Sequence, residues 1–202
     1  MGFLDSILKP KPKEQKPKEQ IVEPVDKKPQ IVQAQVQKED KKPLDLTKKI
    51  ALNFEKLNLH KEDVRKKRLF LLDISGSMGE RSGEKRKIDH LRSVMTPYTD
   101  AKMVCFSSNI SKVSDAKFIP DPDGGTNLAK AFKYIKTDVI EKPERVVLVS
   151  DGQPDSEKDA LEQAKILSLP IDIIFIGEKE SKGYDFMQRL ASATGGQEFQ
   201  VT

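Results

Sequence analysis

From about residue 45 onward, short apolar runs alternate with stretches of helical periodicity. Residues 68–74, 102–106, 145–150 and 171–176 are rich in Val, Ile, Leu and Phe and read as buried strands. A short edge strand is expected near 112–118 and a last strand at 198–201. Between them the spacing predicts helices over 85–98, 126–139, 157–167 and 184–193. In the second of these, Leu128, Ala131, Phe132 and Ile135 share a face; in the third, Leu161, Ala164 and Leu167 point inward. Ahead of the first strand, Asp45 can cap a helix on which Leu46, Ile50, Phe54 and Leu57 share an apolar face. That helix is expected to pack against the elements that follow, with Lys48, Lys49 and Lys56 on its other side. Strands alternating with helices predict an α/β fold, a mostly parallel sheet with helices on both faces. Right-handed crossovers make such a sheet doubly wound, and its ligands sit beyond the carboxyl ends of the strands.

Composition divides the chain in three. Residues 1–45 hold 6 of the 12 prolines, with an imperfect repeat of Lys-Pro-Lys-Glu-Gln within 9–20. Between Lys9 and Lys42 there are no aromatics and only scattered Val, Ile and Ala. Too little apolar surface is available to offset the entropy of ordering, so 1–45 reads as a disordered, Pro-stiffened tail. Its first eight residues differ: Phe3, Leu4, Ile7 and Leu8 would share one face of a short helix. They read either as a frayed end or as a docking peptide or membrane-surface anchor, and Gly2 and Ser6 also fit the myristoylation pattern. Residues 46–67 form a basic helix and connector, and 68–202 the main domain.

Charge follows the same division. The chain carries +4 overall. Residues 46–68 hold 8 Lys and Arg against 3 acids, whereas 69–202 hold 18 against 21. The basic excess therefore precedes the domain. The run Arg65-Lys66-Lys67-Arg68 reads as a solvated face or, more sharply, as a contact for nucleic acid or an acidic membrane surface. No aromatics are interleaved for base stacking. The single Cys105 allows no internal disulfide and, within Met103-Val104-Cys105-Phe106, reads as a buried structural thiol. No run approaches 18 apolar residues, and the N-terminus lacks a secretory signal, so a cytoplasmic location is expected.

The chemistry concentrates in three short segments, two of them directly after a predicted strand and one ahead of a predicted helix. The run Leu69-Phe70-Leu71-Leu72 ends in Asp73-Ile74-Ser75-Gly76-Ser77, one carboxylate and two hydroxyls on a tight turn. Gly124-Gly125-Thr126 precedes the helix 126–139, and Ser150-Asp151-Gly152 ends the strand 145–150. All of these donors are oxygens, which suits a hard cation such as Mg²⁺. Taken singly, each segment also reads as an ordinary turn or helix cap.

Together, Asp73-x-Ser75-x-Ser77, Thr126 and Asp151 resemble the metal-ion-dependent adhesion site of the von Willebrand factor A family, over roughly residues 68–202. The resemblance implies a Rossmann-like domain that binds Mg²⁺ or Mn²⁺ and grips a protein partner. It implies that Ser75 and Ser77 coordinate directly, that Thr126 does so directly or through water, and that Asp73 and Asp151 hold waters or orient ligands. A Glu or Asp of the partner then completes the shell, and no catalytic residue is implied. Met78 is expected to pack, not to ligate. Intracellular members often act as adaptors or subunits of larger machines.

Two other functions compete. A metal-dependent phosphohydrolase with an Asp nucleophile needs a second Asp two residues on, where this chain has Ser75. No P-loop, Gly-x-Gly-x-x-Gly or Ser/His pairing supports an enzyme; His60 lies in the basic connector and His90 in a predicted helix. The other alternative acts through the basic segment 48–68 on nucleic acid or a membrane surface.

Overall fold

The computed structural model describes residues 45–202. Its strands are β1 (Arg68–Asp73), β2 (Arg81–Ser82), β3 (Lys85–Arg86), β4 (Lys102–Phe106), β5 (Ile110–Val113), β6 (Arg145–Ser150), β7 (Ile171–Ile176) and β8 (Glu198–Val201). Its helices are α1 (Leu46–Lys56), α2 (Glu62–Lys66), α3 (Lys87–Met95), α4 (Leu128–Thr137), α5 (Glu157–Leu167) and α6 (Lys182–Thr194). The readings of the tail, its amphipathic first eight residues and the myristoylation pattern fall on 1–44, outside the described residues.

Six strands form one sheet in the order β5-β4-β1-β6-β7-β8, with β2 and β3 pairing separately as a small ribbon. Every neighbour pair in the large sheet is parallel except β4 and β5. This is the doubly wound, mostly parallel α/β architecture that the sequence predicts. The strand order reverses around β1, which places the carboxyl ends of β1 and β6 at the switch point.

Strand alternation splits the core in two. Phe70 and Leu72 face a cluster with Ile50, Phe54, Ile88, Met95, Cys105 and Val149 under α1 and α3. Leu69 and Leu71 face the other, with Phe132, Ile135, Ala164, Phe175 and Phe186 under α4, α5 and α6. Helix α1 is capped as the sequence indicates, Asp45 Oδ1 accepting a 2.6 Å hydrogen bond from Thr47 N. Its Phe54 ring lies 5.5 Å from Phe70 and 5.6 Å from Tyr98, centre to centre. Met78 and Cys105 are fully buried, and burial pushes the Cys105 thiol up to about 12, so it packs as an inert group.

Several elements differ from expectation. The edge strand is β5, ahead of 112–118. A tight turn in which Ser107 N donates to Asn109 O returns the chain straight after β4. Residues Ala116–Phe118 instead form a 3₁₀ turn capped by Asp115, which accepts from Lys117 N at 3.0 Å. Helix α3 starts later than residue 85 because Lys85 and Arg86 pair with Ser82 and Arg81. It ends ahead of Pro97, which lacks an N–H to continue the ladder. Residues 62–66 of the basic connector are a single helical segment, too short to show a period.

The basic run is locally compensated. Arg65 pairs with Asp100 at 2.9 Å, Lys66 with Glu62, Lys67 with Glu144 at 3.1 Å and Arg68 with Asp172 at 2.5 Å. Asp172, second residue of the otherwise apolar β7, is buried and also takes Arg145 at 2.7 Å and Gln197 N at 3.0 Å. A buried carboxylate is tolerated there because its lone pairs are occupied by two guanidinium groups and an amide.

Candidate metal centre

Asp73 closes β1, the strand flanked by β4 and β6. Its side chain is fully buried. Oδ1 accepts from Ser75 N at 2.8 Å, which folds Ile74 and Ser75 into a tight turn. Oδ2 accepts from Ser150 Oγ at 2.5 Å. The 3₁₀ turn Gly76–Gly79 then brings Ser77 back beside Ser75, their hydroxyls 3.2 Å apart. Ser77 Oγ donates to Asp151 Oδ1 at 2.7 Å across the switch point.

The third segment is tied to this turn through the backbone. Gly76 N donates to Gly124 O at 3.0 Å, and Asp123 N to Ile74 O at 2.9 Å. Gly124 has φ +73°, and a Cβ there would lie 2.7 Å from Ser108 Oγ, so only glycine fits the turn. Thr126 is buried; its N–H donates to Asp155 Oδ1 at 2.8 Å, and Asp155 N donates back to Thr126 O at 3.0 Å. A Cβ on Gly152 would sit 3.6 Å from Ser77 Oγ and 3.7 Å from Thr126 Oγ1. Both hydroxyls therefore lie beside Gly152. Asp73, Ser75, Ser77, Thr126 and Asp151 thus converge at one end of the sheet.

The donor set suits a small hard cation. Ser75 Oγ and Ser77 Oγ are separated by 3.2 Å. That is close to the roughly 3 Å between neighbouring oxygens in an octahedral shell of radius about 2.1 Å. Among the described residues no three His, Cys, Asp or Glu side chains gather as a metal cluster. This set has two carboxylates, and its remaining donors are hydroxyls.

Two partners in the site were not singled out from the sequence. The register pairs Leu72 with Val149, so Ser150 falls beside Asp73 on the adjacent strand. Lys87, first residue of α3, places Nζ 2.7 Å from Asp151 Oδ2, 2.7 Å from Glu80 Oε2 and 3.5 Å from Ser77 O. Ser150 needs the strand register to be found, and Lys87 is one of many lysines without a distinguishing spacing. His90 lies apart from these hydroxyls, bonded to Thr47 Oγ1 at 2.8 Å and to Ser82 O at 2.9 Å.

Burial pushes the Asp73 carboxyl up to about 6; hydrogen bonds from Ser150 and Ser75 oppose the shift and the nearby Asp151 charge adds to it. Burial works against the Lys87 ammonium, but Asp151 and Glu80 outweigh it and raise its pKa above the ordinary lysine value. Asp73 therefore holds its proton more tightly in the folded chain than in the unfolded one. Its contribution favours folding at low pH and is lost as pH rises from about 4 to about 6. In EDTA, urea unfolding of the wild type should lose about 2 kcal/mol relative to Asp73→Asn between pH 4.5 and 7. A difference between the two proteins that does not change with pH would contradict this.

No family model matches the chain, and no curated protein sequence matches it. Among solved structures, it is similar to the manganese-loaded TRAP protein of Plasmodium vivax, with 23% identity, 62% of each chain covered and a TM-score of 0.47. An aerotolerance-related membrane protein from Bacteroides fragilis matches with 16% identity over 67% of this chain and 90% of that one, TM-score 0.49. A von Willebrand factor type A protein from Catenulispora acidiphila matches with 14% identity over 67% of this chain and 38% of that one, TM-score 0.47. The chain thus spans less than two thirds of the TRAP and Catenulispora chains.

Proposed function

We propose that this chain is a divalent-cation-dependent protein-binding module, an adaptor or subunit that works in the cytoplasm. The observation that carries the reading is the division of roles among the converging oxygens. The carboxylates of Asp73 and Asp151 are turned inward and held by Ser75 N, Ser150 Oγ, Ser77 Oγ and Lys87 Nζ. The hydroxyls of Ser75, Ser77 and Thr126 are left as the neutral oxygens of the site. Mg²⁺ or Mn²⁺ bound there would supply an electrophile with an open position for a Glu or Asp of the partner. Ser75, Ser77 and Thr126 hold it; Asp73 fixes the first turn through Ser75 N, and Asp151 orients Ser77. In this reading no residue is catalytic. Among the described residues, no helix is long and apolar enough to cross a membrane.

The test is capture by the immobilised full chain. A partner should be retained in Mg²⁺ or Mn²⁺, released by EDTA, and not retained by Asp73→Ala. Retention that survives both EDTA and the substitution would sink the proposal.

A further inference from the structure

Lys87 is held with unusual care for a lysine at a helix start. The ribbon β2–β3 delivers the chain into α3, and Lys87 N donates to Glu80 O at 3.0 Å, fixing the backbone beside the Ser77 turn. Only 17% of the side chain is exposed, and the Asp151 side chain it meets is not exposed at all. Asp151 therefore faces two groups in opposite roles. Oδ1 accepts from the Ser77 hydroxyl, a proposed cation ligand, and Oδ2 accepts from the Lys87 ammonium, both at 2.7 Å.

We propose that Lys87 is a resident counter-charge of the site. It cancels the Asp151 charge and weakens the site's hold on a bare divalent cation, so that firm binding awaits the carboxylate of a partner. The inference rests on the cation-binding reading above and deepens it. The physical reason is electrostatic. Two buried carboxylates alone would attract a dication strongly, whereas an ammonium bonded to one of them repels it at short range in a poorly screened setting. A cation less neutralised by the protein attracts an incoming carboxylate more strongly. By linkage, each of the two ligands then strengthens binding of the other.

The experiment is titration of the full-length chain with Mn²⁺ alone, followed by the electron paramagnetic resonance signal of free Mn²⁺. It compares wild type, Lys87→Met, Lys87→Gln and Lys87→Arg, with folding checked by circular dichroism and thermal unfolding in EDTA. Both charge-removing variants should bind Mn²⁺ about tenfold more tightly than wild type. Lys87→Arg, which keeps the charge, should stay near wild type. If Lys87→Met and Lys87→Gln are folded yet bind Mn²⁺ equally or more weakly than wild type, Lys87 only braces Asp151 and the inference is overturned. If neither wild type nor the variants bind Mn²⁺, the cation-binding reading itself fails and takes this inference with it.

Discussion

Mg²⁺ or Mn²⁺ should raise the thermal stability of the wild-type chain saturably, and Asp73→Ala should abolish that rise. A cation that binds only the folded state stabilises it by RT ln(1 + [L]/Kd), about 2.7 kcal/mol at a hundredfold excess over Kd. For a domain of this size that is roughly 5–10 °C in Tm. The substitution removes the acceptor of Ser75 N and of Ser150 Oγ at one stroke. The turn that presents Ser75 and Ser77 then loses its anchor, and the site loses a buried negative charge. In EDTA the variant should remain folded, because the change also relieves the burial of a carboxyl already pushed up to about 6. A rise of equal size in Asp73→Ala would mean that the cation binds elsewhere. No rise in the wild type at millimolar cation would remove independent metal binding from the account.

The second large effect lies far from the hydroxyls. Phe54→Ala should destabilise the chain by about 4 kcal/mol in urea unfolding, with the slope of the transition unchanged. The side chain is fully buried, and its ring touches Phe70 of the central strand and Tyr98 beyond α3. Its loss leaves a cavity in one of the two core layers, walled by a sheet that cannot close around it. A loss below about 1 kcal/mol would mean that α1 merely lies on the domain. The wider consequence concerns boundaries. A truncation removing residues 1–44 should leave Asp45 to cap α1 and preserve the core, whereas one that also removes α1 exposes the Phe70 layer.

Much of this molecule can be read along its sequence. Strands 102–106, 145–150, 171–176 and 198–201 and the helix 157–167 fall where their apolar patterns put them. Those patterns are local, set by which residues must face a core at a period of two or 3.6. The cap at Asp45 is also local, because a side chain two residues from an amide has little choice of partner. The three oxygen-bearing turns are visible for the same reason, each adjoining a recognisable element, a strand for Asp73 and Asp151 and a helix for Thr126. What bonds to what across the sheet is decided only by tertiary structure. The neighbourhood of Asp73 and Ser150 depends on the register of β1 against β6, 77 positions apart in the chain. The bond from Lys87 to Asp151 depends on how the β2–β3 ribbon aims α3, and the neutralisation of Asp172 on strand ends meeting from Arg68 and Arg145. The position of β5 was decided by a three-residue turn and a single Asp115 cap that no periodicity announces. Periodicity specifies which face of an element is buried. Which charged group meets which carboxylate is set by topology and register, and here those contacts determine the electrostatics of the site.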